Sequence, residues 1–139
     1  MRSKDARAGS VLVVDDDPHA LAGLRLLLMD EFDVVVADGP RRALELIEER
    51  PVDVVMSDYE MPGGSGISLL AKIRMRQPRA VCILMTAHAT YPDVTALQLE
   101  DRGVRVLLKP LDPESTLATV RASSHVSRIR RSVSRLPRR

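Results

Sequence analysis

Five short aliphatic runs, at residues 11–14, 33–37, 52–57, 81–85 and 104–108, are each followed by a stretch patterned as a helix. Continuous apolar runs of this length read as strands buried on both faces, and such strands need helices packed against both sides of a parallel sheet. The intervening stretches supply them. Residues 18–30 carry Leu21, Leu24 and Leu28 on one stripe, and the segment opened by Pro40 and closed by Pro51 carries Ala43, Leu44 and Ile47. Further helices are predicted over residues 67–76, over 92–101 with Gly103 as the C-cap, and after Asp112-Pro113. Asp17-Pro18 and Asp112-Pro113 both place a capping carboxylate before a proline at the first helical position. The fold class that follows is α/β, a (βα)5 doubly wound parallel sheet with helices on both faces.

At 139 residues the chain has room for one domain with a single core. Aromatic residues make up 2% and Trp is absent, which argues against a base-stacking surface or a large aromatic ligand pocket. Cys82 is alone in an apolar run, so a reduced, buried thiol is expected rather than a disulfide. The first ten residues lack the apolar segment of a secretion signal, and no run approaches the ~18 apolar residues of a membrane span. A cytoplasmic protein is expected. The net charge of +2 conceals a division: residues 1–120 hold 14 basic residues and all 19 acids, net −5, whereas residues 121–139 hold seven Arg and no acid. An acidic body with a basic appendage speaks against direct nucleic-acid binding by the body.

The ends of the runs carry the chemistry. Asp15 and Asp16 follow the first, Asp58 the third, Thr86 the fourth and Lys109 the fifth. In doubly wound sheets ligands bind outside the carboxyl ends of the strands, where all five residues converge. Carboxylates brought this close repel one another unless a cation holds them, so a divalent metal site beside a reactive group is expected.

The segments VLVVDDDP, VVMSDYEMPGGSG, ILMTA and LLKP, in this order and at this spacing, resemble the receiver domain of bacterial two-component response regulators over roughly residues 10–123. The resemblance implies a flavodoxin-like fold with strand order 2-1-3-4-5. It implies that Asp58 accepts a phosphoryl group from a sensor histidine kinase or phosphotransfer protein. Asp15, Asp16, Asp58 and the backbone carbonyl of Glu60 would hold Mg2+, and Thr86 and Lys109 would contact the phosphoryl oxygens. Glu60 and His88 would modulate dephosphorylation. The chain would then be a signalling receiver that catalyses its own phosphorylation and dephosphorylation rather than an enzyme acting on a separate substrate. Phosphoryl transfer to an ionised carboxylate requires chiefly positioning and charge neutralisation, which this residue set provides.

Two other readings stay open. Asp15-Asp16-Asp17 after a strand also fits the nucleophile motif of haloacid-dehalogenase-like phosphatases, although His19 stands where Thr or Val is expected there. A receiver serving only as an interaction module is the other. Asp17 reads as a helix cap, His19 as a surface residue and His125 as solvated. Against the family pattern, Val106 replaces an aromatic residue whose movement reports phosphorylation, Ser65 replaces an acid, and Leu111 replaces an aromatic. Residues 1–9 are expected to be a disordered N-terminus and residues 124–139 a basic helical extension or linker. Ala122, Val126, Ile129, Val133 and Leu136 recur at coiled-coil spacing, a possible homodimer seam flanked by Arg128, Arg130, Arg131 and Arg135, with solvated chain as the alternative. The cognate kinase, the output pathway and any continuation beyond Arg139 are not legible.

Overall fold

The computed structural model describes residues 7–100 and 104–135. In chain order the elements are β1 (Ser10–Val14), α1 (Pro18–Leu28), β2 (Asp33–Ala37), α2 (Pro40–Glu49), β3 (Val54–Asp58), β4 (Glu60–Met61), β5 (Gly64–Ser65), α3 (Gly66–Arg76), β6 (Val81–Thr86), α4 (Pro92–Glu100), β7 (Val104–Leu108) and α5 (Pro113–Ser134). The main sheet has the order β2-β1-β3-β6-β7 and every pairing in it is parallel. With the small β4–β5 hairpin set aside, this is the expected 2-1-3-4-5 order. The hairpin itself was not predicted, because two-residue strands carry no periodic signal.

Side chains alternate between the two faces of a strand, and the core divides accordingly. Val11, Val13, Val54, Met56, Ile83 and Met85 pack with Leu21, Leu24 and Leu28 of α1 and Val120 of α5. Leu12, Val14, Val55, Cys82 and Leu84 face the other way, onto α2 (Ala43, Leu46, Ile47), α3 (Leu69, Leu70, Ile73) and Val94 of α4. Full burial of such a side chain contributes roughly 1.5–3 kcal/mol, so the three central strands anchor the fold. The lone Cys82 is buried and free, and burial pushes its thiol up to about 12.

Both predicted cap-then-proline starts are present. Asp17 Oδ1 accepts from the His19 backbone N–H at 2.9 Å, and Asp112 Oδ2 accepts from the Ser115 N–H at 2.8 Å. That bond favours the ionised form of Asp112 and holds its pKa below the ordinary 3.8. A depressed folded-state pKa means that the cap's contribution is present above 3.8 and is lost as pH falls through the lower folded value. Asp112→Ala is therefore expected to lower the melting temperature at pH 7. Thermal scans should show the gap to wild type closing in acid through that window.

The amino-terminal end departs from expectation. Residues 7–9, assigned above to a disordered N-terminus, are tied down instead. The Ala8 N–H donates to Glu31 O, the Asp33 N–H donates to Gly9 O, and Arg7 Nη1 reaches Phe32 O at 2.8 Å. Residues 1–6, Gly103 and Leu136 lie outside the described residues. The final helix runs on past residue 123, as a helical extension requires: α5 is one 22-residue helix. Its body-facing side there is polar: Ser123, Ser124 and Ser127 are buried. Ser124 Oγ donates to Ala8 O, Ser127 Oγ to Asp53 Oδ1, and Arg131 binds Val52 O and Asp53. The apolar seam faces away from the body, with Ile129 49% and Val133 60% exposed. Among the described residues no helix is long and apolar enough to cross a membrane.

Candidate functional site

Parallel strands deliver their ends to one edge, and at that edge the predicted residues meet. Asp15 directly follows β1, Asp58 is the last residue of β3 and Thr86 the last of β6. Asp15, Asp16 and Asp58 each offer a carboxylate oxygen, all within 4.8 Å of one another. From beyond β7, Lys109 places Nζ 2.5 Å from Asp58 Oδ1. Its backbone N–H donates to Thr86 O at 2.8 Å, which extends the β6–β7 pairing by one bond and aims the lysine along the edge.

The electrostatics are those of a cation site. Asp15 is buried, and its pKa is raised chiefly by that burial, with the charges of Asp58 and Asp16 adding to the effect. The Asp17 backbone N–H, which donates to Asp15 Oδ1 at 3.0 Å, and the charge of Lys109 act in the opposite direction. Three carboxylates against one ammonium leave excess negative charge among oxygen donors. Hard divalent cations take such donors.

Gly66 sets the depth of this edge. A Cβ built on it would stand 2.1 Å from the backbone oxygen of Asp58, so α3 begins against the end of β3 at a distance that only glycine allows. The Gly66 N–H donates to Tyr59 O at 2.8 Å, and Ser65 caps the helix by accepting from the Ser68 N–H at 3.2 Å. Gly63 and Gly64, with φ of +92° and +148°, make the turn of the hairpin.

Glu60 and His88 flank this centre. Glu60 is exposed on β4, and with Asp16, Tyr59, Met61 and Ser65 it lines a cleft of about 600 Å³. The His88 ring stacks on Tyr91, with centroids 4.5 Å apart, while its backbone N–H donates to Thr86 Oγ1 at 3.0 Å. Tyr59, Tyr91 and Asp93 were not singled out from the sequence. Tyr59 Oη donates to Asp93 Oδ2 at 2.6 Å, which pushes the phenol up to about 12. The one available signal was that Tyr59 immediately follows a strand-end acid. Beside Asp15 and Lys109, an apolar groove of about 490 Å³ runs between α1 and α5 over Gly23, Leu24, Leu27, Met85 and Leu111.

Comparison with known proteins identifies the family. The family model described as "Response regulator receiver domain" matches residues 11–121. Among curated proteins the chain is 33% identical over 115 residues to the hydrogenase transcriptional regulatory protein HoxA of Cupriavidus necator, covering 83% of this chain and 24% of that protein. It is 37% identical over 107 residues to the transcriptional regulatory protein GlrR of Escherichia coli, covering 76% and 24%. The chain thus spans about a quarter of the length of the curated relatives it matches. Among solved structures, the signal receiver domain of an HD domain-containing protein from Pseudomonas fluorescens superposes with a TM-score of 0.81 at 28% identity, covering 98% of both chains. The chemotaxis protein CheY4 of Vibrio cholerae gives 0.74 at 26% identity, covering 82% of this chain and 97% of that one. A family match over most of the chain, together with the superposition on a solved receiver domain, establishes that this chain belongs to the response regulator receiver domain family.

Proposed function

We propose that Asp58 is the phosphoryl acceptor of this receiver. The observation that carries the reading is the convergence of Asp15, Asp16 and Asp58 on one point, with Lys109 Nζ on the Asp58 carboxylate. In the reaction an Asp58 carboxylate oxygen attacks phosphorus, and the bond from phosphorus to the donor's imidazole nitrogen or acetyl oxygen breaks. The donor leaves with that electron pair and Asp58 becomes an acyl phosphate. Lys109, held at its backbone by Thr86, offsets the charge accumulating on the phosphoryl oxygens. Thr86 retains its hydroxyl proton for a phosphoryl oxygen, because in its bond to His88 it is the acceptor.

Asp15, Asp16, Asp58 and the Glu60 carbonyl are the oxygen set that would hold Mg2+, which when bound neutralises charge between carboxylate and phosphate. The excess negative charge of the cluster and the raised pKa of Asp15 fit that role. Glu60 and His88, at the rim, modulate water access to the acyl phosphate.

A sensor histidine kinase or phosphotransfer protein supplies the phosphoryl group in this reading, and a cytoplasmic location goes with it. The apolar groove between α1 and α5, which opens beside Asp15 and Lys109, is a surface on which such a donor can rest while it reaches Asp58. The exposed seam of α5 is a candidate homodimer contact.

The test separates charge on the phosphoryl group from charge on the metal. Lys109→Ala is expected to leave Mg2+ affinity within a few-fold of wild type, or to strengthen it by removing a competing cation. Phosphorylation by acetyl phosphate should slow about 10²-fold, the scale of losing one preorganised charge-stabilising group. Isothermal titration with Mg2+ and mass-spectrometric labelling rates measure the two. Unchanged labelling in this variant would remove Lys109 from the mechanism.

A further inference from the structure

The chain has two tyrosines, and the fold brings them together beside the site. Tyr59, the residue after Asp58, donates from its phenol to Asp93 Oδ2 at 2.6 Å. Asp93 lies in the first turn of α4. The Tyr59 ring lies 5.6 Å from that of Tyr91, tilted by 54°, and Tyr91 stacks on His88. His88 is bonded through its backbone to Thr86 Oγ1. A continuous strap therefore runs from Thr86 through His88, Tyr91 and Tyr59 to Asp93, across the loop of residues 87–91 and back to the acceptor strand.

The loop is also held locally, by the Tyr91 N–H on His88 O and by Thr95 Oγ1 on Ala89 O, but the packing beneath it is light. Among the described side chains of α4 only Val94 is fully buried, with Leu97 packed at the margin of the core. The Tyr59 backbone, by contrast, is fixed on both sides, its N–H donating to Met85 O and its carbonyl accepting from the Gly66 N–H. One end of the strap is thus anchored in the sheet and the other in a lightly packed helix. Hydrogen bonds to an ionised partner exceed neutral ones in strength, so the phenol–carboxylate contact is the strongest link. Val106 offers no ring to couple the loop to β7.

We propose that Tyr59 is the positioning residue for the loop that follows Thr86. Its bond to Asp93 holds the loop and the start of α4 in the arrangement seen here, and opposes their displacement when Asp58 is occupied. The proposal rests on Asp58 being the acceptor only for the second half of that statement. Any movement of the loop or of the first turn of α4 pulls Asp93 from the phenol and Tyr91 from its ring contact. The bond therefore sets how much of the drive from the site is needed to move them.

The test uses Tyr59→Phe, Asp93→Asn and the double variant, all with Asp58, Thr86 and Lys109 intact. Phe keeps the ring contact with Tyr91, and Asn keeps an oxygen for the Val94 N–H, which donates to Asp93 Oδ1 at 2.9 Å. In the protein without phosphoryl donor, amide hydrogen exchange at residues 88–95 is expected to quicken about three- to ten-fold in either single variant. The double variant should be no faster than Tyr59→Phe alone, since Asp93→Asn by itself exchanges a charged partner for a neutral amide and has no bond left to weaken once the hydroxyl is gone. With Mg2+, the beryllofluoride concentration that half-saturates the shift of the α4 amides should fall by a similar factor. Unchanged exchange, or single effects that multiply in the double variant, would overturn the positioning role whatever happens at Asp58. A wild type that shows no response to beryllofluoride while the variants quicken in exchange would support the positioning role and count against Asp58 as acceptor.

Discussion

Asp58→Asn is expected to reduce phosphoryl labelling from acetyl phosphate and Mg2+ to background, the largest functional effect available in this chain. The amide is not a competent nucleophile toward phosphorus, and it is the Asp58 carboxylate that pairs with Lys109, at 2.5 Å. The fold should survive the change. Asp58 is one of three carboxylates packed within 4.8 Å, so neutralising it relieves repulsion even as it weakens the contact with Lys109. Peptide mapping after hydroxylamine or borohydride trapping locates the label. Label that moved to Asp15 in this variant would sink the receiver chemistry and revive the phosphatase reading, in which the acid after β1 is the nucleophile.

Gly66→Val is expected to cost about 1–3 kcal/mol of stability, the usual range for overpacking, and to impair phosphorylation beyond that loss. The cause is steric and local. A Cβ at position 66 would meet the Asp58 backbone oxygen at 2.1 Å, the Asp58 carbonyl carbon at 3.0 Å and Leu84 Cδ1 at 3.0 Å. The nearest atoms belong to the backbone and cannot rotate away, so either α3 retreats or the end of β3 moves, and the acceptor moves with it. Gly23→Ala provides the contrast, since nothing lies within 4 Å of a Cβ there. That change in the interior of α1 should stabilise by about 0.5–1 kcal/mol and leave labelling by acetyl phosphate, which needs no docking in the groove, unaltered. Denaturant unfolding read alongside labelling rates distinguishes a displaced acceptor from a merely weakened fold.

The residues that the sequence placed well are those whose positions follow from a strand's end. A buried run of Val, Leu, Ile and Met has only one way to sit in a parallel sheet, so the acid or lysine that closes it must emerge at the carboxyl edge. Asp15, Asp58, Thr86 and Lys109 are all found there. What escaped was set by contacts without a period. The bond from Tyr59 to Asp93 spans 34 residues, and neither partner lies on a stripe. Gly66 sits in a glycine-rich segment that carries no period, and its work is to let two backbones approach. The inward face of the distal half of α5 was not legible for a related reason. Serines meet the body through hydrogen bonds there, and hydrophobic periodicity points to the opposite side of the helix.

That last helix also has a mechanical consequence. With 22 residues, α5 is a rod of roughly 33 Å at about 1.5 Å per residue. Its first residue lies four positions after Lys109, and its other end is fastened at Val52 and Asp53, where β3 begins. A lever so mounted turns small angles into usable travel. A tilt of about 5° about the Asp53 end carries the other end through about 3 Å, the size of one hydrogen-bond length, without bending the helix. The distal fastening permits such motion, since hydrogen bonds and an arginine can re-form after a small rotation, and the resistance comes from Val120, which the proximal half of the helix seats in the core.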